Sequence, residues 1–186
     1  MKKENELKVC PVEIAGMLDN SFRRLFQNPG KIIAPHVSKG MTVLDLGCGP
    51  GFFSIEIAKK LHDSGKVIAA DIQEGMLEKV RKKIKGTDIE YCIEIHKCKD
   101  DTIGITQKVD LIFAFWVIHE MPELDRQFEE LISILKPGGK IYIIEPKFHV
   151  SKKAFEDMIA KLKNFGFEIV DRPEVFFSRT VLLTLI

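Results

Sequence analysis

Apolar and polar positions alternate along this chain in two distinct rhythms. Short β-branched and aliphatic runs that end at Gly, Pro or Asp read as strands: Thr42–Leu46, Lys66–Ala70, Glu90–Ile95, Val109–Phe115, Lys140–Glu145, Gly166–Asp171 and Val175–Ile186. Longer stretches place apolar residues three and four apart, which is the spacing of one helical face. Such faces are Leu77, Val80 and Ile84, ended by Gly86; Leu124, Phe128, Leu131, Ile132 and Leu135, ended by Pro137-Gly138-Gly139; and Phe155, Met158, Ile159 and Leu162 behind Ser151 as N-cap. An earlier helix is expected over Ile14 to Phe26, with Ile14, Leu18, Phe22 and Leu25 on one side.

Strand and helix take turns, so the expected fold is a doubly wound α/β sheet, mostly parallel and seven-stranded, with helices on both faces. Val109–Phe115 is almost wholly apolar, as a central strand buried on both faces would be. Arg172-Pro173-Glu174 is too short for a crossover helix, so the last strand should run antiparallel. With 186 residues and no linker or repeat, the chain reads as one domain over 1–186, an N-terminal helical cap at 1–39 ahead of a core at 40–186.

Composition narrows the partners. Apolar residues are 45% and charged residues 30%, with a formal net charge of +1, so no global field selects nucleic acid or an anionic membrane. Met1-Lys2-Lys3-Glu4-Asn5-Glu6 has no apolar stretch behind it, and Leu111–Ile118 is the longest apolar run. A cytoplasmic protein without membrane contact is expected. Cys10, Cys48, Cys92 and Cys98 lack paired metal-ligand spacing, so no metal is expected. Lys79, Arg81, Lys82, Lys83 and Lys85 alternate with apolar residues and read as a solvated helix face.

Candidate chemistry begins where the first strand meets a glycine turn. Asp45-Leu46-Gly47-Cys48-Gly49-Pro50-Gly51 runs from a buried strand into a helix start, where free backbone N–H groups and close ligand approach become available. The glycines fall at 47, 49 and 51, with Phe52 in the place of the third dinucleotide glycine, so the spacing departs from GxGxxG; a phosphate loop of GxxxxGK[ST] form is absent. The second strand ends at Asp71, a carboxylate that can accept hydrogen bonds from ribose hydroxyls or cap the following helix.

The DLGCGPG motif after a strand resembles the first motif of class I S-adenosylmethionine-dependent methyltransferases, with a Rossmann-like sheet. The likeness continues in order over about residues 40–146, through Val109-Asp110-Leu111-Ile112 and the Leu135-Lys136-Pro137-Gly138-Gly139 turn. The resemblance implies that Gly47, Cys48, Gly49 and Gly51 lie against the methionine part of the cofactor and that Asp45 faces its amino group. It implies that Asp71 holds the ribose, that Ile72 packs on adenine, and that Asp100 or Asp101 accepts the adenine amino group. Ala114 and Phe115 would stand beside the methionine moiety and the reacting methyl.

The resemblance further implies methyl transfer from S-adenosylmethionine, with S-adenosylhomocysteine as product; a small molecule is the expected acceptor, ahead of protein or RNA. A [DN]PP[YF] motif of nucleic-acid amine methylases is missing, which counts against nucleic acid. His119 reads first as a structural histidine bonded to backbone and second as a base; Glu120 reads as the start of a helix. Phe22, Phe26, Phe148 and His149 are expected to cap the pocket. A non-catalytic cofactor-binding module and a nicotinamide-dependent reductase remain the alternatives.

Overall fold

The computed structural model describes residues 26–61 and 64–186, so the expected helix over 14–26 and Phe22 and Cys10 lie outside the described residues, Phe26 apart. In chain order the elements are α1 (Pro29–Ile33), β1 (Thr42–Leu46), α2 (Ser54–Leu61), β2 (Lys66–Asp71), α3 (Glu74–Ile84), β3 (Ile93–Lys97), β4 (Val109–Phe115), α4 (Leu124–Ile134), β5 (Leu135–Pro146), α5 (Lys152–Asn164), β6 (Phe167–Asp171) and β7 (Ser178–Leu185). They form one seven-stranded sheet in the order β3-β2-β1-β4-β5-β7-β6. β1 through β5 pair in parallel, and β7 runs antiparallel to both β5 and β6. The antiparallel strand thus lies inside the sheet, with β6 at the edge.

Side-chain alternation along the central strands divides the interior into two cores. Val43, Leu111, Phe113 and Tyr142 pack with Ile57, Leu61, Leu77 and Val80 of α2 and α3 on one face. Leu44, Ile112, Ala114 and Ile143 pack with Phe128, Leu131, Phe155 and Leu162 of α4 and α5 on the other. Because successive side chains of a strand point to opposite faces, Phe115 joins the first core and Ala114 the second.

Several expected boundaries shift, the start of the last strand among them, at Ser178 instead of Val175. Glu90–Cys92 is a 3-10 turn, and β3 begins only at Ile93. The helical face of α4 ends at Ile134, so Leu135 opens β5. The pairing of β4 with β5 then jumps from Val109–Leu135 to Leu111–Lys140, so the Pro137-Gly138-Gly139 turn is a bulge looped out of the strand. Ser151 does cap α5, its hydroxyl accepting from the Ala154 amide at 3.1 Å.

Tyr142 is fully buried on β5, edge-on to the His36 ring at 4.7 Å, and its hydroxyl has no hydrogen-bond partner among the described residues. An unpaired buried hydroxyl carries a desolvation cost of about 1–3 kcal/mol. Tyr142→Phe is therefore expected to leave stability unchanged or raise it by up to ~1 kcal/mol, read as an equal or higher urea midpoint with unaltered slope. A clear loss of stability would show that the hydroxyl is satisfied.

Candidate active site

The carboxyl ends of β1, β2 and β4 open onto one cleft of about 380 Å³, within the roughly 300–1,000 Å³ typical of small-molecule sites. Its floor is the glycine turn after β1. Gly47 and Gly49 take left-handed φ values of +68° and +52°, which side chains seldom adopt. A Cβ on Gly47 would stand 2.5 Å from Val117 Cγ2, so glycine is required for the segment after β4 to close over the turn. A Cβ on Gly49 would meet nothing within 4 Å, which leaves backbone open toward the cleft.

Asp71 locks this turn to the end of β2. Its Oδ2 accepts from the Gly49 amide and its Oδ1 from the Gln73 amide, both at 2.8 Å. The second bond organises the start of α3; Asp71 also lines the cleft, and each oxygen, having accepted one bond, can accept another. Burial pushes its carboxyl above the usual range, against the opposing pull of those two amides and the Lys97 charge.

Asp45 sits one strand away, 2% exposed, and accepts from the Ser54 hydroxyl at 2.5 Å. Burial raises its carboxyl to about 7; the Ser54 bond opposes this and the charge of Asp71 adds to it. Two neighbouring acids, with Lys99 the one Lys or Arg lining the cleft among the described residues, suit this end of the cleft to a cationic group.

The loop after β3 forms the far wall. Ile72, Cys98, Lys99, Asp100 and Ile103 line the cleft, whereas the Asp101 side chain is 70% exposed and faces Arg126 at 3.8 Å. Glu130 of α4 holds the loop, accepting from Thr102 Oγ1 at 2.9 Å and the Ile103 amide at 2.8 Å.

The remaining wall is aromatic. Phe52, Phe53, Phe115, Trp116 and Phe148 line it, with Trp116 edge-on to Phe148 at 5.5 Å. Trp116 is held at φ +59° by its amide bond to the Ile144 carbonyl at 2.7 Å and its indole bond to Ser178 Oγ at 3.1 Å. A bulky residue in that region marks local strain, which concentrates at functional sites.

Sequence-predicted site residues are brought together unevenly. Asp45, Gly47, Cys48, Gly49, Asp71, Ile72, Asp100, Phe115, His119, Phe148 and His149 share the cleft. Gly51 does not line it and backs onto Val80 of α3; Ala114 faces the opposite core; Asp101 points to solvent. Phe26 stacks on Phe176 at 5.1 Å and does not line the cleft. Lys83 stays exposed on its helix face, with its Nζ donating to the Pro50 carbonyl at 2.6 Å.

His119 is bonded to a carboxylate rather than to backbone: Nδ1 pairs with Glu145 Oε2. Glu120 lies in a 3-10 turn over Ile118–Glu120, ahead of α4. Residues missed at the sequence level are Glu145, Trp116, Val117 and Glu130. Glu145 closes a strand and carried no motif; Glu130 is one of many polar positions on an amphipathic helix. Among the described residues, no group of three or more His, Cys, Asp or Glu could hold a metal ion. No helix among them is long and apolar enough to cross a membrane.

This geometry suits an adenosyl sulfonium ligand: an open glycine backbone, a carboxylate that can accept from hydroxyls, and buried acids suited to a cationic ligand. Comparison with known proteins agrees. A family model described as a methyltransferase domain matches residues 37–172. The demethylmenaquinone methyltransferase of Lactobacillus johnsonii is 30% identical over 151 residues, covering 79% of this chain and 60% of the relative. The ubiquinone/menaquinone biosynthesis C-methyltransferase UbiE of Escherichia fergusonii is 26% identical over 137 residues, covering 73% of this chain and 53% of the relative. This chain thus spans little more than half the length of the curated relatives it matches.

Among solved structures, a SAM-dependent methyltransferase from Aquifex aeolicus superposes with a TM-score of 0.84 at 26% identity, covering 96% of this chain and 100% of that one. A protein from Methanococcus maripaludis shares the fold at a TM-score of 0.76 and 21% identity, covering 100% and 97%. The cleft at the strand ends and the family model over most of the core lead to one assignment: this chain belongs to the methyltransferase domain family, the S-adenosylmethionine-dependent methyltransferases.

Proposed function

We propose that this chain moves the methyl group of S-adenosylmethionine to a small-molecule acceptor, with Asp45, Gly47, Cys48, Gly49, Asp71, Ile72 and Asp100 holding the cofactor. One observation carries the residue assignment: the Asp71 carboxylate pins the Gly49 amide at the floor of the cleft and itself lines that cleft, with acceptor capacity left on each oxygen. The cofactor's sulfonium supplies an already activated methyl group. The chain's own task is alignment, which contributes up to roughly 7–11 kcal/mol in favourable cases. In this reading Gly51, Ala114 and Asp101 support the site without touching the cofactor, and residues 1–39 form a cap ahead of the core at 40–186.

The named relatives act on demethylmenaquinone and in ubiquinone/menaquinone biosynthesis. A flat ring fits the aromatic wall of Phe115, Trp116 and Phe148, which favours an aromatic acceptor over a nucleic acid or protein.

The direct test is calorimetric titration with S-adenosylhomocysteine and with NADH, followed by transfer of labelled methyl to a panel of small phenols and quinols. Binding of the first ligand only, with label transferred, is the expected result. Cofactor binding without any transfer would favour a non-catalytic module, and NADH binding would point to a reductase.

A further inference from the structure

Behind the cleft wall, away from the adenosyl end, lies a third buried acid with a defined partner. Glu145, next to last in β5, is 1% exposed, and its two oxygens are both engaged. Oε1 accepts from the Ile118 amide at 2.9 Å, and Oε2 binds Nδ1 of His119. That carboxylate fixes the imidazole's orientation and places the ring hydrogen on Nδ1, so Nε2 carries the free lone pair. No described residue partners Nε2, and His119 lines the cleft beside Phe148 and His149, its ring 5.5 Å from that of His149.

The rest of this half is equally selective. Its walls are Phe115, Trp116, Phe148 and Pro146, and among the described residues the one Lys or Arg that lines the cleft is Lys99, beside Asp100 at the other end. No described cation stands in this half to recognise a carboxylate or phosphate on the acceptor. That lining suits an acceptor that enters neutral and is ionised inside the cleft.

We infer that His119, oriented by Glu145, is the general base of this site, and that the acceptor is a planar hydroxy-aromatic molecule that stacks on the Trp116 and Phe148 wall and gives its proton to Nε2. The inference rests on the methyl-transfer reading above. The acceptor O–H bond breaks, its electron pair stays with the acceptor, and the proton binds Nε2. The acceptor then bonds to the methyl carbon as the methyl–sulfur bond breaks, with that pair remaining on sulfur. For attack by oxygen the balance closes there. For attack by a conjugated ring carbon, the carbon's hydrogen leaves as the proton and the hydroxyl recovers one from His119.

The surrounding charges favour this direction of transfer. Burial pushes the His119 imidazole down, but the hydrogen bond and charge of Glu145, with the charge of Glu120, outweigh it and raise its proton affinity above the ordinary value. Glu120 itself is pushed up to about 7, by burial first, with Asp71 and Glu145 adding and His119 opposing. The titratable groups facing His119 are thus Glu145 from β5, Glu120 from its own turn and His149 from the loop after β5, with Asp71 acting on Glu120. Proton transfer from a neutral phenol to His119 leaves the net charge of the cleft unchanged.

The test uses the full chain saturated with S-adenosylhomocysteine and 4-nitrophenol as probe, whose phenolate is coloured. Below the probe's own ionisation midpoint, the bound probe should carry a phenolate fraction raised about tenfold, equivalent to one unit of proton affinity. His119→Gln should abolish that rise, and Glu145→Gln should shrink it. The ionising capacity should appear as pH rises through the His119 titration, above the ordinary imidazole range, and Glu145→Gln should move that midpoint down. Calorimetric affinity for S-adenosylhomocysteine, unchanged within about twofold in both variants, shows that the cofactor site is intact. Equal phenolate in wild type and His119→Gln, or no binding of the phenol to the saturated protein, overturns the inference alone. Failure of S-adenosylhomocysteine to bind wild type overturns the methyl-transfer reading beneath it as well.

Discussion

Replacing Gly47 by alanine is expected to destabilise the fold by about 2–5 kcal/mol, adding ~1–2 kcal/mol for a side chain in left-handed backbone to ~1–3 kcal/mol of overpacking. The clash has no easy escape, because the added Cβ would lie 2.5 Å from Cγ2 and 2.7 Å from Cβ of Val117. Both are atoms of a β-branched residue close to the backbone, so relief requires the segment after β4 to lift. That segment carries Trp116 and leads into His119, so the cleft should loosen along with the fold. For a domain of this size the melting midpoint should fall by roughly 5–15 °C. Gly49→Ala is the matched control. It shares the left-handed φ but faces open space, so it should lose only ~1–2 kcal/mol of stability while still weakening S-adenosylhomocysteine binding. Equal melting points for the two variants would show that contact with Val117 is not what requires glycine at 47.

Asp71→Ala should weaken S-adenosylhomocysteine binding by at least about tenfold, ~1.4 kcal/mol, in calorimetry. Two effects act together. The variant removes the acceptor proposed for the ribose hydroxyls, and it releases the Gly49 and Gln73 amides that Asp71 holds at 2.8 Å. Hydrogen bonds to a charged group are worth about 1.5–3 kcal/mol each, so loss of the bond to Gly49 also lets the glycine turn drift. Asp71→Asn separates the effects poorly, since whichever oxygen becomes NH2 then faces a backbone donor. Asp71→Ala in a folded protein with unaltered affinity would remove the ribose assignment.

The strand and helix alternation was legible in the sequence because each period carries its own burial. β1, β4 and the faces of α3, α4 and α5 fall where the rhythm of apolar residues put them. Boundaries shifted where local chemistry competes with the period. Glu90–Cys92 tightens into a 3-10 turn before β3, and Leu135, in helical register with Leu131, is taken by β5 pairing with Val109. Ladder hydrogen bonds to a neighbouring strand outweighed one more helical residue, and nothing local encodes that neighbour.

The candidate site divides along the same line. Gly47, Gly49 and Asp71 were legible because backbone freedom and a carboxylate at a strand end have meaning within a few residues of each other. Their roles needed the third dimension: Gly47 is required by Val117, seventy positions away, and Asp71 reaches back to Gly49 across the β1–β2 seam. Asp100 and Asp101 are adjacent in sequence, and only the tertiary structure separates them, with Asp100 lining the cleft and Asp101 facing Arg126. His119 was visible as an imidazole, but its meaning depends on Glu145, a strand residue with no motif of its own.

What the sequence alone determined is the set of elements, the two faces of the sheet and the glycine turn with its acid, since periodicity and backbone freedom are local properties. What only the tertiary structure decided is which strand ends converge and hence which charges face one another. Hydrogen bonds and Coulomb interactions act over a few ångströms of space, whatever the distance along the chain. The pairing of His119 with Glu145 beside an aromatic wall exists only once β4 and β5 lie side by side.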